Sequence, residues 1–202
     1  MGYRMADCFK LTGIGLFLLF AAAPVAFAQS QWRYEDNQHP PRHAFIEQTS
    51  IVLGLTCSVR LQFNATQDNK HGDGVLALEF TVSPMSSIKG FDFDYFEGPG
   101  APVGGQKLMR VTVTKGGRSF IHTLILTGFL SSEYLDDGFV FAANNLTRNK
   151  QGQVRKVLDQ VLQGAESLEV AVIDGNNHAI VLSATFPLTG SKGAIEALLK
   201  GI

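Results

Sequence analysis

Hydrophobic and polar residues alternate along most of this chain. In SIVLGLTCSVRLQFN, residues 50–64, Ile51, Leu53, Leu55, Cys57, Val59, Leu61 and Phe63 occupy odd positions. Thr56, Ser58, Arg60, Gln62 and Asn64 occupy even ones. Period two is the signature of a strand with one buried and one wet face, here with a bend or break at Gly54. VLALEFTV repeats the pattern with Leu76, Leu78, Phe80 and Val82 inward, and KLMRVTVT does so with Met109, Val111 and Val113. KGGR reads as a tight hairpin turn, because paired glycines accept positive φ. SFIHTLIL carries apolar residues on both faces and predicts a central strand covered on both sides. His122 within it is expected as a satisfied core histidine. GFVFAA is a further short strand.

The period then changes. Val154, Val157, Leu158, Val161 and Leu162 recur at helical spacing and predict an amphipathic helix closed by Gly164. Arg148, Lys150, Arg155 and Lys156 crowd its first half as a solvated face. SLEVAVI and HAIVLSATF follow as strands around a DGNN turn, with Leu168, Val170 and Val172, then Ile180, Leu182, Ala184 and Phe186, inward. A last helix carries Ala194, Ile195, Leu198, Leu199 and Ile202 on one stripe, with Ser191 as its expected cap. About eight strands joined mostly by hairpin turns predict a mainly β fold, an antiparallel β-sandwich with one helix between late strands and a C-terminal helix.

The first residues change the compartment. Arg4 and Lys10 precede the uncharged run Leu11 to Ala23, and Ala26-Phe27-Ala28 supplies small residues where a signal peptidase reads. Residues 1–28 are therefore expected to be a secretory signal, cut after Ala28. The run falls short of the roughly 20 residues that span a bilayer. Residues 29–43, which include Pro40-Pro41, read as a flexible lead-in from which Trp32 and Tyr34 can tuck back. Residues 44–202 form the expected single β-rich domain. Removing 28 of 202 residues leaves 174, enough for a sizeable core without an internal disulfide. Taking Arg4, Lys10 and Asp7 out of 17 basic and 18 acidic residues leaves 15 and 17, a net charge of −2. That balance argues against a nucleic-acid partner, which requires a concentrated basic face. No later segment is long and apolar enough to span a membrane. Cys57 is then the only cysteine of the processed chain, and its place among inward aliphatics predicts an inert core thiol.

Candidate chemistry is sparse. GFDFDYFEGPGAP, residues 90–102, sets acids among aromatics before a Gly/Pro break. On a strand, Phe91, Phe93 and Tyr95 face the core and its rim, and Asp92, Asp94 and Phe96 face outward. Aspartate is a poor strand former, so the segment reads as an edge whose charges resist aggregation. Asp92, Asp94, Tyr95 and Phe96 are the candidate binding residues: aromatic planes stack on sugar faces while carboxylates accept hydroxyl hydrogen bonds. No metal or other cofactor is implied. His39 and His43 flank Pro40-Pro41, which prevents the helix that would pair their imidazoles. DNKHGDG, residues 68–74, lacks calcium-loop spacing and reads as a turn. There is no G-x-S-x-G, H-E-x-x-H or P-loop. Asn64 and Asn145 begin glycosylation sequons.

From Val154 to Leu199 the chain resembles the invasion-associated locus B family, small exported bacterial β-sandwich proteins in which a final strand runs through a Leu-x-Gly turn into a closing helix. Phe186, Leu188, Gly190, Ala194 and Leu198 carry the resemblance. It implies a periplasmic, non-enzymatic protein, sometimes linked to host interaction, and assigns no functional residue. The expectation is an exported periplasmic or secreted, non-enzymatic binding or accessory protein of the bacterial envelope, with a protein or glycan partner. The alternatives are a secreted hydrolase using carboxylates at 92–97 and 133–137, or a structural subunit of an envelope assembly.

Overall fold

The computed structural model describes residues 30–36, 42–66, 75–85, 91, 108–131, 137–144 and 152–200. Among the described residues, ten strands form two antiparallel sheets. The first contains β1 (Arg33–Glu35), β2 (Arg42–Val52), β3 (Leu55–Thr66), β4 (Val75–Ser83), β8 (Gly138–Asn144) and β7 (Thr127–Ser131), in that spatial order. The second is ordered β10 (Ile180–Pro187), β9 (Ser167–Ile173), β5 (Leu108–Lys115), β6 (Arg118–Ile125). Two helices, α1 (Gln153–Leu162) and α2 (Ser191–Leu199), accompany the sheets among the described residues. The mainly β, two-sheet architecture expected from the alternation is the one observed.

The core lies between the sheets. Leu61, Phe63, Leu78, Phe80, Phe139 and Phe141 of the first sheet face Met109, Val111, Leu168, Val170 and Phe186 of the second, all fully buried. Phe80 joins the layers: it stacks with Phe141 at 6.1 Å between ring centroids and meets Phe186 edge-on at 6.0 Å. Helix α1 packs against β4 of one sheet and β5 and β6 of the other, through Val154, Val157, Leu158 and Val161. Helix α2 packs against α1 and against β1, β2 and β3. The helices therefore seal the sandwich, each burying an apolar stripe that would be marginal alone.

Two features close the sides. β6 and β7 are separated by one residue, the buried Leu126, so a nearly continuous strand leaves one sheet and enters the other. On the opposite side, Trp32, beside β1, donates its indole N–H to the Pro187 carbonyl of β10 at 2.9 Å and stacks on Phe63 at 6.2 Å. Trp32 thus tucks back as expected. The lead-in itself contributes β1 and the first two residues of β2, Arg42 and His43.

Four local expectations are corrected. The run from Ser50 to Asn64 is a hairpin rather than one bent strand: Val52 pairs with Leu55 around Leu53-Gly54, whose φ values are 51° and 77°. A two-residue turn inverts parity, so even positions of β2 join odd positions of β3 on the inner face. Ile51, expected inside, is consequently 73% exposed. β6 is an edge strand rather than a central one, and Ile121 and Ile125 lie exposed on its outer face. Ile180 is half exposed, because the β9–β10 register shifts between it and Leu182. Ser191 is not the cap of α2. Gly190 holds that position at φ 82°, and Ser191 is buried in the first turn.

Other expectations stand. Gly116-Gly117 forms the β5–β6 turn with both φ positive. Cys57 is buried, and burial pushes its thiol pKa up. His122 is satisfied by Gln160, Nε2 to Oε1 at 2.9 Å.

Candidate functional site

The even-numbered side chains of β3 leave the core and meet two neighbouring strands on the outer face of the six-stranded sheet. Register fixes three cross-strand rows there: His43, Asn64 and Ala77; Phe45, Gln62, Glu79 and Ala142; and Glu47, Arg60, Thr81 and Val140. Opposed side chains in such rows lie about 4.5–5.5 Å apart at Cβ, close enough for their polar ends to bond. An outward row of this composition is ordinarily wet, yet this one is largely enclosed. Gln62 is 2% exposed, Asn64 6%, Thr81 1% and Phe45 2%. His43, Glu47, Arg60 and Glu79 are half-buried.

The buried polar groups are joined into one network. Asn64 Oδ1 lies 2.7 Å from His43 Nδ1, and Gln62 Nε2 lies 3.1 Å from the same nitrogen. A single ring nitrogen either donates to the Asn64 oxygen or accepts from the Gln62 amide, so it serves one partner at a time. Gln62 Nε2 also faces Glu79 Oε2 at 3.3 Å, and Arg60 Nη1 donates to Gln62 Oε1 at 3.4 Å. Arg60 pairs with Glu47, with Nε donating to Oε1 at 2.6 Å, and lies over the Phe45 ring at 4.6 Å from its centroid. Phe45 therefore receives the guanidinium face while the Arg60 edge is occupied by hydrogen bonds.

Burial pushes the Glu79 carboxyl pKa up from its ordinary value. Hydrogen bonds from Asn64 and Gln62 and the nearby charges of His43 and Arg60 oppose this without cancelling it. The outcome is a carboxylate held in a polar pocket of amides, flanked by one ion pair. The half-buried His43, Glu47, Arg60 and Glu79 are the members of these rows that reach solvent, held in place by the enclosed amides. No group of three or more His, Cys, Asp or Glu among the described residues is arranged to hold a metal ion.

The sequence-derived binding residues Asp92, Asp94, Tyr95 and Phe96 lie outside the described residues. Phe91, immediately before them, turns toward the core as expected, edge-on to Phe139 at 5.8 Å and to Phe141 at 6.2 Å. Of the second acidic group, Glu133 and Asp136 lie outside the described residues, and Asp137 is exposed with φ 51°. The Asn64 sequon is enclosed within β3, its side chain bonded to His43; Asn145 lies outside the described residues. Sequence alone did not single out the polar row. Its one visible signal was the spacing of Arg60, Gln62 and Asn64, identical to that of any solvent-facing strand edge.

Comparison with known protein families, with characterised proteins and with solved structures returns no match. Among the described residues, no helix is long and apolar enough to cross a membrane.

Proposed function

We propose that this chain is an exported, non-enzymatic binding or accessory protein of the bacterial envelope, and that it meets a protein or glycan partner on the outer face of its six-stranded sheet. The observation carrying this reading is the enclosed network of Gln62, Asn64, Glu79 and His43 beside the Arg60–Glu47 pair. A sandwich needing only stability gains little from such a row, because buried polar groups at best recover their desolvation cost. The half-buried carboxylates, imidazole and guanidinium, held in place by enclosed amides and an aromatic ring, are suited to hydroxyl-rich or peptide ligands, whose polar groups they meet without reordering. Export rests on the N-terminal sequence, from Arg4 through Ala28, and the resemblance to the invasion-associated locus B family points the same way. The acidic aromatic rim at Asp92, Asp94, Tyr95 and Phe96 is a second proposed contact.

The test is capture from envelope extract, together with binding to immobilised glycans. The processed chain is expected to retain a protein or glycan that Arg60→Met releases while melting stays cooperative. Asp92→Asn with Asp94→Asn reports on the rim in the same assay. Retention of nothing above background in either format overturns the reading.

A further inference from the structure

His43 stands where two demands on one nitrogen conflict. Register sets it between Glu35 of β1 and Asn64 of β3 on the outer face. Its Nδ1 lies 2.7 Å from Asn64 Oδ1 and 3.1 Å from Gln62 Nε2. Neither amide is free to turn over. Gln62 accepts from Arg60 Nη1 through Oε1 and offers Nε2 to Glu79 Oε2. A guanidinium only donates and an ionised carboxylate only accepts, so these partners fix which end of the Gln62 amide is which. The Asn64 side chain also bonds the Glu79 carboxylate, which engages its amide nitrogen and leaves Oδ1 for His43.

Asn64 therefore requires a hydrogen on Nδ1, and Gln62 requires a lone pair there. A neutral ring with its hydrogen on Nε2 serves Gln62 and sets two acceptors against each other at Asn64. An imidazolium has hydrogens on both nitrogens, so it donates a charge-assisted bond to Asn64 and opposes the Gln62 N–H. Gln62 is the more deeply enclosed of the two, 2% exposed against 6% for Asn64. An orphaned buried N–H is also rarer than an under-satisfied carbonyl, so the neutral ring is assigned to Gln62.

The charges around the ring favour its cationic form. Glu35 opposes it from β1 and Glu79 bonds both of its amide neighbours from β4. Of the cations on this face, Arg60 is paired with Glu47 and Arg33 lies over the Phe45 ring. Arg42, next to His43 in the chain, projects from the other face of β2 and meets the Lys200 carbonyl. On α2, which packs against β2, Lys192 and Glu196 pair with each other. The ring is half-buried, so protons reach it from solvent.

We propose that His43 is a proton-operated switch in the outer row. A proton taken from solvent onto Nδ1 moves the imidazole's hydrogen bond from the Gln62 amide to the Asn64 carbonyl. The Gln62 amide is then left to Glu79 alone, and one positive charge is added beside Glu35 and Glu79. The face thus presents a different charge and a different set of donors in acid. The switch belongs to the free chain and stands whether or not this face binds a partner.

Nitrogen NMR shifts of the imidazoles test it, followed on the processed chain from about pH 8 to about pH 5, the window in which histidine ordinarily changes charge. His43→Asn identifies the ring by the signals it removes. Nδ1 of His43 is expected to be unprotonated at the alkaline end and protonated at the acid end. The side-chain amide signals of Gln62 and Asn64 are expected to move along the same curve, and those of Gln62 to lose that step in His43→Asn. The carboxyl carbon shift of Glu79, read in the same series, separates its own proton uptake, which burial promotes. An Nδ1 already protonated at the alkaline end, one still unprotonated at the acid end, or amide signals that follow Glu79 rather than His43 would each overturn the proposal.

Discussion

The two faces of strand β3 are buried by opposite chemistries. On the inner face Cys57, Val59, Leu61, Phe63 and Ala65 are at most 1% exposed and belong to the common apolar core. On the outer face Gln62 and Asn64 are almost as deeply enclosed, yet every contact named for them is a hydrogen bond. The inner face needs only volume and shape, and tolerates isosteric exchange. The outer face needs particular atoms at particular distances, because a buried donor or acceptor without a partner costs more than the bond itself yields. One strand thus supplies both the general driving force for collapse and a stretch of chemical specificity.

The largest effect expected to sharpen that contrast is Phe63→Ala. Phe63 packs against Trp32, and its loss leaves a cavity costing about 3–5 kcal/mol, measured by urea denaturation. Next is Gln62→Leu, nearly conserved in volume but unable to bond Glu79, His43 or Arg60. It is expected to cost about 1–3 kcal/mol, and a neutral result would mean that the outer row is as tolerant as the core. Leu53→Asn works in the other direction. Relief of the left-handed backbone is expected to raise stability by about 1 kcal/mol, seen as a higher melting temperature.

The smallest effect is a slope. The folded-state pKa of Glu79 is raised, so the native protein binds a proton more readily than the unfolded chain does. The penalty of its buried charge is present at neutral pH and disappears as pH falls through the folded pKa toward the ordinary value of 4.5. Relative to Glu79→Gln, the wild type should therefore gain stability on acidification across that window and hold a constant difference below it. Parallel stability curves for the two proteins would show that Glu79 does not titrate against its surroundings.

Much of the architecture was legible in the alternation. β4, β5 and β9 bury the residues their period assigns, and α1 buries its stripe. The failures have physical causes. The inward parity changes across a two-residue turn, but the exposed aliphatics Ile51 and Leu53 keep the odd positions apolar through it, so they looked continuous with Val59 and Leu61. Hydrophobic content alone cannot separate a central strand from an edge one, and β6 keeps its outward Ile121 and Ile125 exposed. The polar row was invisible because Arg60, Gln62 and Asn64 have the same pattern whether water or protein covers them. Only the register, which sets Glu79 opposite Gln62 and His43 opposite Asn64, distinguishes the two cases.

Leu126 stands alone between β6 and β7, where the backbone passes from one layer to the other. No slack loop exists at that seam to let the halves part. The chain crosses between the layers three times, from β4 to β5, from β6 to β7 and from β8 through α1 to β9, and of these the Leu126 crossing is the shortest, so it ties the two layers edge to edge with the least chain between them.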